Sequence, residues 1–429
     1  MTPADEPTTV APSPARAAVA VRRADERRTG GALAEIAEVA ASAGVRRVRV
    51  VAWRDLEHPD AGGSEIHLHE ILRRWAAAGL EVTLLTGRAP GRPRRVERSG
   101  YTVLRAGSPL GSLVTLPWRA RRQPADATVE VWHGINFCGP LWMRGPRVAI
   151  AHHVHRPEFG YVLPRPAAWA ARHQEGTLSP RLYRGTPLVT LSEPAQAAFA
   201  ELGFDPAAIT VVPPGVDPRF SPAPAPGGGC SATPLVLTVA RLWPQKRIDR
   251  LIDVMARLRH RHPRAELLVV GDGPCRAALE ARAAATGAVA RFAGSVPDAR
   301  LVELYRSAWV LASASFGEGW GMTITEAGAC GTPAVVSINT GHRQAVVDGV
   351  TGLLAADEDG LVAGLDRVLN DPVLRGRLGD GARDHARGFD WDRAATTILD
   401  VVVADAGRRA RGRQHTRRSA RTPWIPADT

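Results

Sequence analysis

The sequence predicts an α/β fold of two tandem domains, each built on a doubly wound, mostly parallel sheet. Three observations lead to this prediction. Short apolar segments alternate with helical segments in two successive series, a pattern typical of parallel sheets covered by helices. A Pro- and Gly-rich segment, residues 221–234, separates the two series and predicts an interdomain linker. With 429 residues, the chain is long enough for two cores.

The first series spans residues 45–220 and predicts an N-terminal Rossmann-like domain. Val45–Trp53 alternates and then becomes apolar, as a first strand should, and residues 65–78 have helical spacing. Further strands are predicted at residues 81–86, 101–104, 129–132, 147–151, 188–191 and 209–212. The first turn carries Gly62 and Gly63, with Ser64 as the expected helix N-cap. This glycine loop lacks the G-x-G-x-x-G dinucleotide fingerprint, so we expect it to hold a phosphate or a sugar.

The second series spans residues 235–388 and predicts a C-terminal Rossmann-like domain. Strands are predicted at residues 235–240, 265–270, 289–293, 309–314 and 334–337, and helices at residues 248–260, 276–285 and 298–307. The second of these strands ends in a glycine turn that begins at Gly271. Ligands of open parallel sheets bind at the carboxyl ends of the strands. We therefore expect the ligands in a cleft between the two domains.

Both ends of the chain lie outside these two series. Residues 1–44 are rich in Ala, Pro, Arg and Glu and are predicted to be mostly disordered, although residues 31–43 could form a short helix. Residues 389–403 predict a last amphipathic helix that packs back on the N-terminal domain. Residues 404–429 are rich in arginine and are predicted to form a basic, disordered tail.

The stretch from Phe316 to Pro333 is the most informative part of the chain. It places Glu318 and Glu326 eight positions apart, with glycines around the first and an Ala/Gly-rich run around the second. Strand-like segments flank it, which predicts a strand, a glycine-rich turn, a helix and a strand. A helix that began near Glu318 would place both carboxylates on one face, and its N-terminus would suit a phosphate. The alternative is a pair of solvated helix acids, which the small neighbours disfavour.

Histidines follow two predicted strands of the N-terminal domain. His133 follows one strand, and His152, His153 and His155 follow the next. This spacing raises the question of a metal site. Adjacent strand residues point to opposite faces, and no cluster of Cys or Asp accompanies the histidines, so we predict no metal site there. The D-x-D segment at residues 390–392 is likewise predicted to cap the last helix.

The chain is strongly basic, with a formal net charge of +12. Lys246 is the single lysine among 55 basic residues, which draws attention to its position. Arginines concentrate in residues 88–98, in residues 119–122 and in the C-terminal tail. These segments could bind nucleic acid or anionic membrane, or could simply be solvated. Because aromatic residues make up only 5% of the chain and no binding module is recognisable, we expect no nucleic-acid partner.

The cellular compartment is predicted from the absence of a membrane-spanning run, a secretory signal and paired cysteines. No apolar run approaches the length of a membrane-spanning helix, and the N-terminus does not resemble a secretory signal. Four scattered cysteines, without a C-x-x-C pair, suit a reducing compartment. We expect a cytoplasmic protein, with peripheral contact with the inner face of the cell membrane left open.

Several motifs occur in an order that is similar to that of a known family. They are a glycine loop, a turn before the linker, a basic segment, a glycine turn and an E-x7-E pair, found here at Gly62-Gly63, residues 214–217, residues 241–246, residues 271–274 and Glu318 to Glu326. Over residues 45–403 the chain resembles the retaining family 4 glycosyltransferases of the GT-B fold (glycosyl transferases group 1). Mild departures are Ala240 and Arg247, where the family often has Gly. The resemblance implies an acceptor domain, a nucleotide-sugar domain and an active site in the cleft between them.

The resemblance also implies roles for individual residues on the donor side. Arg241 and Lys246 match the basic pair that neutralises the donor diphosphate. Glu326 matches the glutamate that accepts hydrogen bonds from the ribose hydroxyls, and Glu318 matches the one beside the transferred sugar. Gly271 belongs to the donor-binding turn. Backbone amides of the glycine-rich turn and the first helical residues would bind sugar hydroxyls or phosphate, and these residues are Gly319, Gly321, Met322 and Thr323.

On the acceptor side, His152 matches the family's histidine that faces the sugar, and His153 is the alternative if the register shifts by one. The basic pair serves where other transferases use a metal, so the resemblance implies no metal and no other cofactor.

We therefore expect a metal-independent transferase, of the hexosyltransferase type, that moves a sugar from a nucleotide-diphosphate donor to an acceptor hydroxyl with retention of configuration. The acceptor could be a glycan, a lipid or a small molecule. The alternatives are an epimerase or a phosphorylase on the same scaffold, or a basic nucleic-acid-binding protein.

Overall fold

The computed structural model describes residues 30–108, 111–156, 158–224 and 229–419 and contains two α/β sheets, one in each domain. This arrangement confirms the predicted fold class. The segments predicted as disordered at residues 1–29 and 420–429 lie outside the described residues, as does part of the predicted linker, residues 225–228.

The N-terminal sheet has eight strands in the order β3-β4-β2-β1-β5-β6-β7-β8. Neighbouring strands are parallel, except that β3 pairs antiparallel with β4. Apolar strands buried on both faces are what a parallel sheet covered by helices requires. The strands are β1 Arg47–Ala52, β2 Glu81–Thr86, β3 Arg95–Arg98, β4 Tyr101–Arg105, β5 Ala127–Trp132, β6 Arg147–Ala151, β7 Leu188–Thr190 and β8 Ile209–Val211.

Seven α-helices are described in the N-terminal domain. They are α1 at residues 30–42, α2 Gly63–Ala77, α3 Ser112–Ala120, α4 Phe159–Val162, α5 Arg165–His173, α6 Ser179–Leu182 and α7 Glu193–Glu201. A π-helical turn, Gln174–Leu178, joins α5 to α6, and 3-10 turns lie at Gly139–Leu141 and Pro206–Ala208. Helix α1 buries Ile36 and Ala40 in the N-terminal core. The ordered domain thus begins before residue 45, which corrects the predicted boundary.

The C-terminal sheet has six parallel strands in the order β11-β10-β9-β12-β13-β14. They are β9 Leu235–Val239, β10 Glu266–Val270, β11 Ala290–Gly294, β12 Val310–Ser313, β13 Ala334–Ser337 and β14 Gly352–Ala355. The helices are α8 Ile248–Leu258, α9 Arg276–Thr286, α10 Asp298–Ser307, α11 Met322–Ala329, α12 His342–Ala345, α13 Glu358–Asn370 and α14 Pro372–Ala386, and a 3-10 turn covers Pro244–Lys246.

The last helix, α15 at Trp391–Ser419, returns to the N-terminal domain. It packs on α2 and β6 and places Trp391, Ile398 and Val402 in the N-terminal core. Asp390 accepts hydrogen bonds from the N–H groups of residues 392 and 393, as expected of a helix cap. Helix formation continues beyond residue 403, so residues 404–419 are not the disordered tail that was predicted. The buried Asp405 carboxylate stabilises the first part of this extension, because it binds Arg408, Arg409 and the N–H of residue 147.

Among the described residues, no helix combines the length and the apolar character needed to cross a membrane.

Candidate active site

Contacts between the two domains bring most of the predicted site residues together. Arg241 follows β9, and its Nη1 donates to the carbonyl of Asp60 at 2.5 Å in the loop before α2. A Cβ on Gly62 would lie 2.9 Å from Nε of Arg241, and one on Gly63 would lie 3.6 Å from Sδ of Met322. A side chain at position 62 would therefore displace the Arg241 guanidinium, whereas one at position 63 would only contact Met322.

Lys246 and Glu318 form an ion pair on the donor side of the cleft. The Lys246 Nζ lies 2.5 Å from Oε1 of Glu318, which also accepts from the Ser315 hydroxyl at 2.7 Å. The two residues follow β9 and β12, which are neighbours in the sheet, so sheet topology brings them together. Burial raises the pKa of Glu318, but the Lys246 ammonium outweighs it together with His342 and the Ser315 hydroxyl, and the pKa is lowered overall. Glu318 is thus held as a carboxylate beside a cation.

Helix α11 begins at Met322, four residues after Glu318. The condition under which Glu318 and Glu326 would share one helix face, a helix that begins near Glu318, is therefore not met. Gly321, in the N-cap position with φ of 103°, is where the loop turns into the helix, and few residues other than Gly adopt this conformation. Because its cap has no side chain, α11 presents the N–H groups of Met322 and Thr323 at a helix N-terminus that favours an anion.

Glu326 lies farther along α11, away from the ion pair. Its Oε2 accepts a hydrogen bond from the Tyr305 hydroxyl of α10 at 2.8 Å. Burial raises the pKa of Glu326 to about 7, although the Tyr305 hydrogen bond opposes the shift. The two glutamates of the motif thus have different environments: one is paired with a lysine, and the other bonds to a neutral hydroxyl.

Gly271 follows β10 directly and lies against the backbone of Ala240, the residue before Arg241. Its φ of +123° excludes most side chains, and a Cβ there would collide with the carbonyl of Ala240. Its N–H donates to the carbonyl of Gly294 at 2.8 Å. Position 271 therefore requires glycine, because the backbone after β10 passes very close to the backbone after β9.

His152 follows β6 and faces the donor loop. A Cβ on Gly319 would lie 3.0 Å from Cβ of His152 and 3.3 Å from Nδ1 of His153. The His152 ring meets His67 edge-on, with ring centroids 5.2 Å apart. Burial lowers the pKa of His152 well below its ordinary value, and the neighbouring histidines lower it further. His152 is therefore a neutral imidazole at neutral pH.

Glu65 and His133 were not predicted as site residues. Glu65 Oε2 accepts from the N–H of Gly62 at 2.7 Å and from the Ser64 hydroxyl at 3.0 Å, while Oε1 lies 2.9 Å from Nε2 of His133. Ser64 lies inside α2 and Gly62 is the N-cap, which corrects the predicted cap. The spacing Gly62-x-x-Glu65 is a capping-box spacing that could have indicated the role of the glutamate. Glu65 thus holds the glycine loop in place through Gly62 and orients the imidazole of His133.

His153 interacts with a carboxylate that the sequence interpretation overlooked. Its Nε2 lies 2.9 Å from Oε1 of Glu158, and its ring stacks on His155 with centroids 4.0 Å apart. Burial lowers the pKa of His153, but Glu158 and Glu318 outweigh it and the pKa is raised overall. His153 thus differs from its neighbour His152, which is held neutral.

Two family models match the chain, and together they cover both domains. Residues 61–220 match "Glycosyltransferase Family 4", and residues 231–385 match "Glycosyl transferases group 1".

Curated relatives match over most of their length. A D-inositol 3-phosphate glycosyltransferase from Kribbella flavida is 30% identical, over 83% of this chain and 95% of the relative. A protein of the same name from Acidothermus cellulolyticus is 32% identical, over 85% of this chain and 92% of the relative.

Solved structures show the same fold at lower identity. Sucrose-phosphate synthase from Thermosynechococcus elongatus has a TM-score of 0.71 at 21% identity, over 82% of this chain and 97% of that one. Anabaena Alr3699/HepE in complex with UDP and glucose has a TM-score of 0.66 at 18% identity, over 84% of this chain and all of that one. The chain has two α/β domains, each domain matches a glycosyltransferase family model, and curated relatives are 30% identical or more over most of the chain. The chain therefore belongs to the family 4 glycosyltransferases of the GT-B fold.

Proposed function

We propose that this protein transfers a sugar from a nucleotide-diphosphate donor to an acceptor hydroxyl with retention of configuration, and that the donor diphosphate needs no metal. The observation that carries this proposal is the Lys246–Glu318 pair at 2.5 Å, next to Arg241 and the α11 N-terminus in the interdomain cleft. A departing diphosphate gains negative charge, and fixed cations and helix N–H groups stabilise such charge.

The nucleotide is assigned to the donor side. Arg241 offers a planar fork of donors and Lys246 a compact charge, so the two can bind different diphosphate oxygens. Glu326 accepts from the ribose hydroxyls, and the Tyr305 hydroxyl at 2.8 Å holds its carboxylate in place. The structural relative named above binds UDP according to its title, and we take UDP as the first nucleotide to test.

The proposed chemistry is front-face transfer, in which the acceptor hydroxyl attacks on the face that the diphosphate leaves. Double displacement needs a carboxylate nucleophile about 5 Å from a second carboxylic acid. Glu318 is the carboxylate assigned to the transferred sugar, and it is paired with Lys246. This pairing favours a role in sugar binding, with a diphosphate oxygen receiving the acceptor proton.

The acceptor is assigned to the N-terminal side, where His152 and the glycine loop meet the donor domain. The curated relatives are named for D-inositol 3-phosphate. This phosphorylated cyclitol is therefore the first acceptor to assay, followed by glycans and lipid-linked sugars.

The experiment that tests the donor site is thermal stability with UDP, GDP and ADP, each with and without EDTA. A ligand at about 100 times its dissociation constant adds roughly 2.7 kcal/mol of stability. We expect one nucleotide to stabilise the wild type regardless of EDTA and to have little effect on Glu326→Ala. If no nucleotide stabilises the wild type, the donor assignment is wrong.

Retention has a test of its own. The anomeric configuration of the product, read by NMR coupling constants soon after transfer, should equal that of the donor sugar. An inverted product would rule out the front-face mechanism.

Contact with an anionic membrane is a further part of the proposal, and the structure favours a different surface from the one the arginine count suggested. In residues 88–98, Arg98 pairs with Asp55 and Glu57, and Arg408 and Arg409 of α15 pair with Asp405. By contrast, α3 exposes Val114 and Trp118, which are 75% and 54% exposed and lie one turn apart.

Helix α3 also leads into the basic segment at residues 119–122, and Arg122 lies 3.5 Å above the Trp118 ring. Aromatic and basic groups side by side suit the surface of an anionic bilayer. We expect sedimentation with phosphatidylglycerol vesicles, but not with phosphatidylcholine vesicles, and loss of binding in the double variant Val114→Ser, Trp118→Ser. Equal sedimentation of this variant would exclude α3 as the contact.

A further inference from the structure

Three side chains with metal-binding chemistry converge on the acceptor side of the cleft. One ligand atom from each of His153, His155 and Glu158 lies within 4.8 Å of the other two. We call these residues the imidazole–carboxylate cluster. Their side chains are 14–16% exposed, so the cluster is mostly buried but open to the cleft.

The backbone explains how the cluster forms. His153 and His155 lie in the bend that follows β6, where their rings stack with centroids 4.0 Å apart. Because neither residue belongs to the strand, the alternation of strand side chains does not separate the two rings. Glu158, just before α4, completes the set and lies 2.9 Å from His153.

Unused ligand atoms surround the cluster. Within the described residues, Nδ1 of His153 and Nδ1 of His155 are buried and have no hydrogen-bond partner. Glu175, 1% exposed, accepts the N–H of His155 through Oε1, and its Oε2 is also without a partner. Buried polar atoms are normally satisfied. Such a group of unsatisfied imidazole and carboxylate atoms is what an unoccupied ligand site presents.

The charges around the cluster favour a cation over an anion. Glu158 and Glu175 contact the two imidazoles. Gly317 of the donor loop approaches Glu158 so closely that a side chain there would collide with it. Glycine at this position lets the donor loop pack directly against the carboxylate, which stays 14% exposed.

We propose that His153, His155 and Glu158 bind a divalent cation of the borderline class represented by Zn²⁺, with Glu175 orienting His155. Two imidazoles and one carboxylate, with a further position open to water or a ligand, form a set that suits zinc. Bonds of about 2.0–2.1 Å place tetrahedral ligand atoms roughly 3.3 Å apart. The ligand atoms, which now lie within 4.8 Å of one another, therefore move closer on binding, and the two stacked imidazoles turn toward a common point. Ligating histidines commonly have their second ring nitrogen held by a carboxylate. When His155 binds the metal through Nε2, its Nδ1 remains for Glu175, whose Oε1 lies 3.7 Å away.

This site is distinct from the donor diphosphate, whose charge is assigned to Arg241 and Lys246. The inference therefore does not rest on the proposed glycosyl transfer. Metal binding is measured without nucleotide or acceptor, so failure of one proposal leaves the other intact.

The test uses the untagged full-length protein after removal of metal with EDTA. Titration with Co²⁺, followed by visible absorption, reports imidazole and carboxylate ligands directly, and calorimetry with Zn²⁺ gives stoichiometry and affinity. We expect one equivalent of metal. The variants His155→Ala and Glu158→Gln should each weaken binding at least tenfold, and Glu175→Gln should weaken it about 10- to 100-fold, as removal of an orienting partner does.

His173→Ala is the matched control, because this exposed histidine of α5 stacks on Trp169 and lies outside the cluster. It should bind metal as the wild type does. Metal-free thermal midpoints identify any variant that is misfolded, and the conservative Glu158→Gln keeps the side-chain volume. The inference is overturned if the wild type takes up no stoichiometric metal, or if folded His155→Ala and Glu158→Gln bind it as tightly as the wild type.

Discussion

The two sides of the cleft are built in opposite ways. The donor side contains an ion pair between residues that follow neighbouring strands, with Lys246 Nζ 2.5 Å from Glu318 Oε1. The acceptor side consists of buried imidazoles held by carboxylates, such as His133 with Glu65 and His153 with Glu158. A charged diphosphate needs fixed cations, whereas neutral sugar hydroxyls need hydrogen-bonding groups. Under the proposed function, this difference places charge neutralisation and acceptor recognition in separate domains.

Lys246→Ala is expected to have the largest effect, and it tests whether the donor side supplies a fixed cation. Loss of a fixed group that stabilises developing charge typically lowers turnover by about 100- to 1,000-fold, and we expect a loss of this size in initial rates of sugar transfer. Arg282→Ala, which removes a half-exposed arginine paired with Asp253 on the outer surface, is the control and should keep its activity. A Lys246→Ala variant within tenfold of the wild type would mean that the ion pair is structural only.

A second test compares two acids whose pKa values are both raised to about 7, Glu326 in the donor pocket and Glu130 in the N-terminal core. Burial raises the pKa of Glu130, against hydrogen bonds from Tyr183 and the N–H of Phe137. Between pH 4.5 and 7 the folded state keeps this proton and the unfolded state releases it. Stability is therefore lost as the pH rises through that window, by on the order of 3 kcal/mol.

Glu130→Gln should remove this loss, so its thermal midpoint should fall less than that of the wild type between pH 5 and pH 8. Glu201→Gln, at an exposed position on α7, should follow the wild type. Parallel curves for wild type and Glu130→Gln would show that the core carboxyl does not control the pH dependence.

Glu326→Gln tests the proposed hydrogen bonds between the Glu326 carboxylate and the ribose on the donor side. Hydrogen bonds to a charged group contribute about 1.5–3 kcal/mol, so nucleotide affinity should fall roughly 10- to 100-fold at pH 8. Because burial raises the pKa of Glu326 to about 7, wild-type affinity should increase as the pH rises through 7 and the carboxyl becomes the better acceptor. Calorimetric titration at pH 6 and pH 8 measures this, and a variant with the same pH dependence as the wild type contradicts the ribose role.

His152→Ala should have the smallest effect and should separate the two sides of the cleft. A neutral hydrogen bond contributes about 0.5–1.5 kcal/mol, so we expect transfer to slow by up to about tenfold while nucleotide affinity stays unchanged. A variant that binds nucleotide much more weakly would place His152 on the donor side instead.

The donor side was largely predictable because its chemistry is local in sequence. The E-x7-E spacing and the single lysine mark Glu318, Glu326 and Lys246 before any folding is considered. The start of α11 could not be inferred in the same way. Gly321 turns the chain at φ of 103°, and several nearby glycines could have done so equally well.

The acceptor side was predictable only in part because its partners are far apart in the chain. Glu65 on α2 meets His133 after β5, a separation of 68 residues that only the order of strands in the sheet brings together. Glu158 reaches His153 because the chain turns into α4 after β6. Neither carboxylate is marked by a local sequence pattern as clear as the glycines that flank Glu318.

By itself, the sequence determined the two-domain α/β fold and the family, and it singled out Lys246 and Glu318, which the structure brings together. Periodicity and spaced motifs act within short segments, so they can be recognised without the fold. The tertiary structure decided which carboxylate holds which imidazole, where α11 begins, and how far α15 extends. These outcomes depend on contacts between distant segments, such as Asp405 with the N–H of residue 147, and on burial, which a local pattern does not specify.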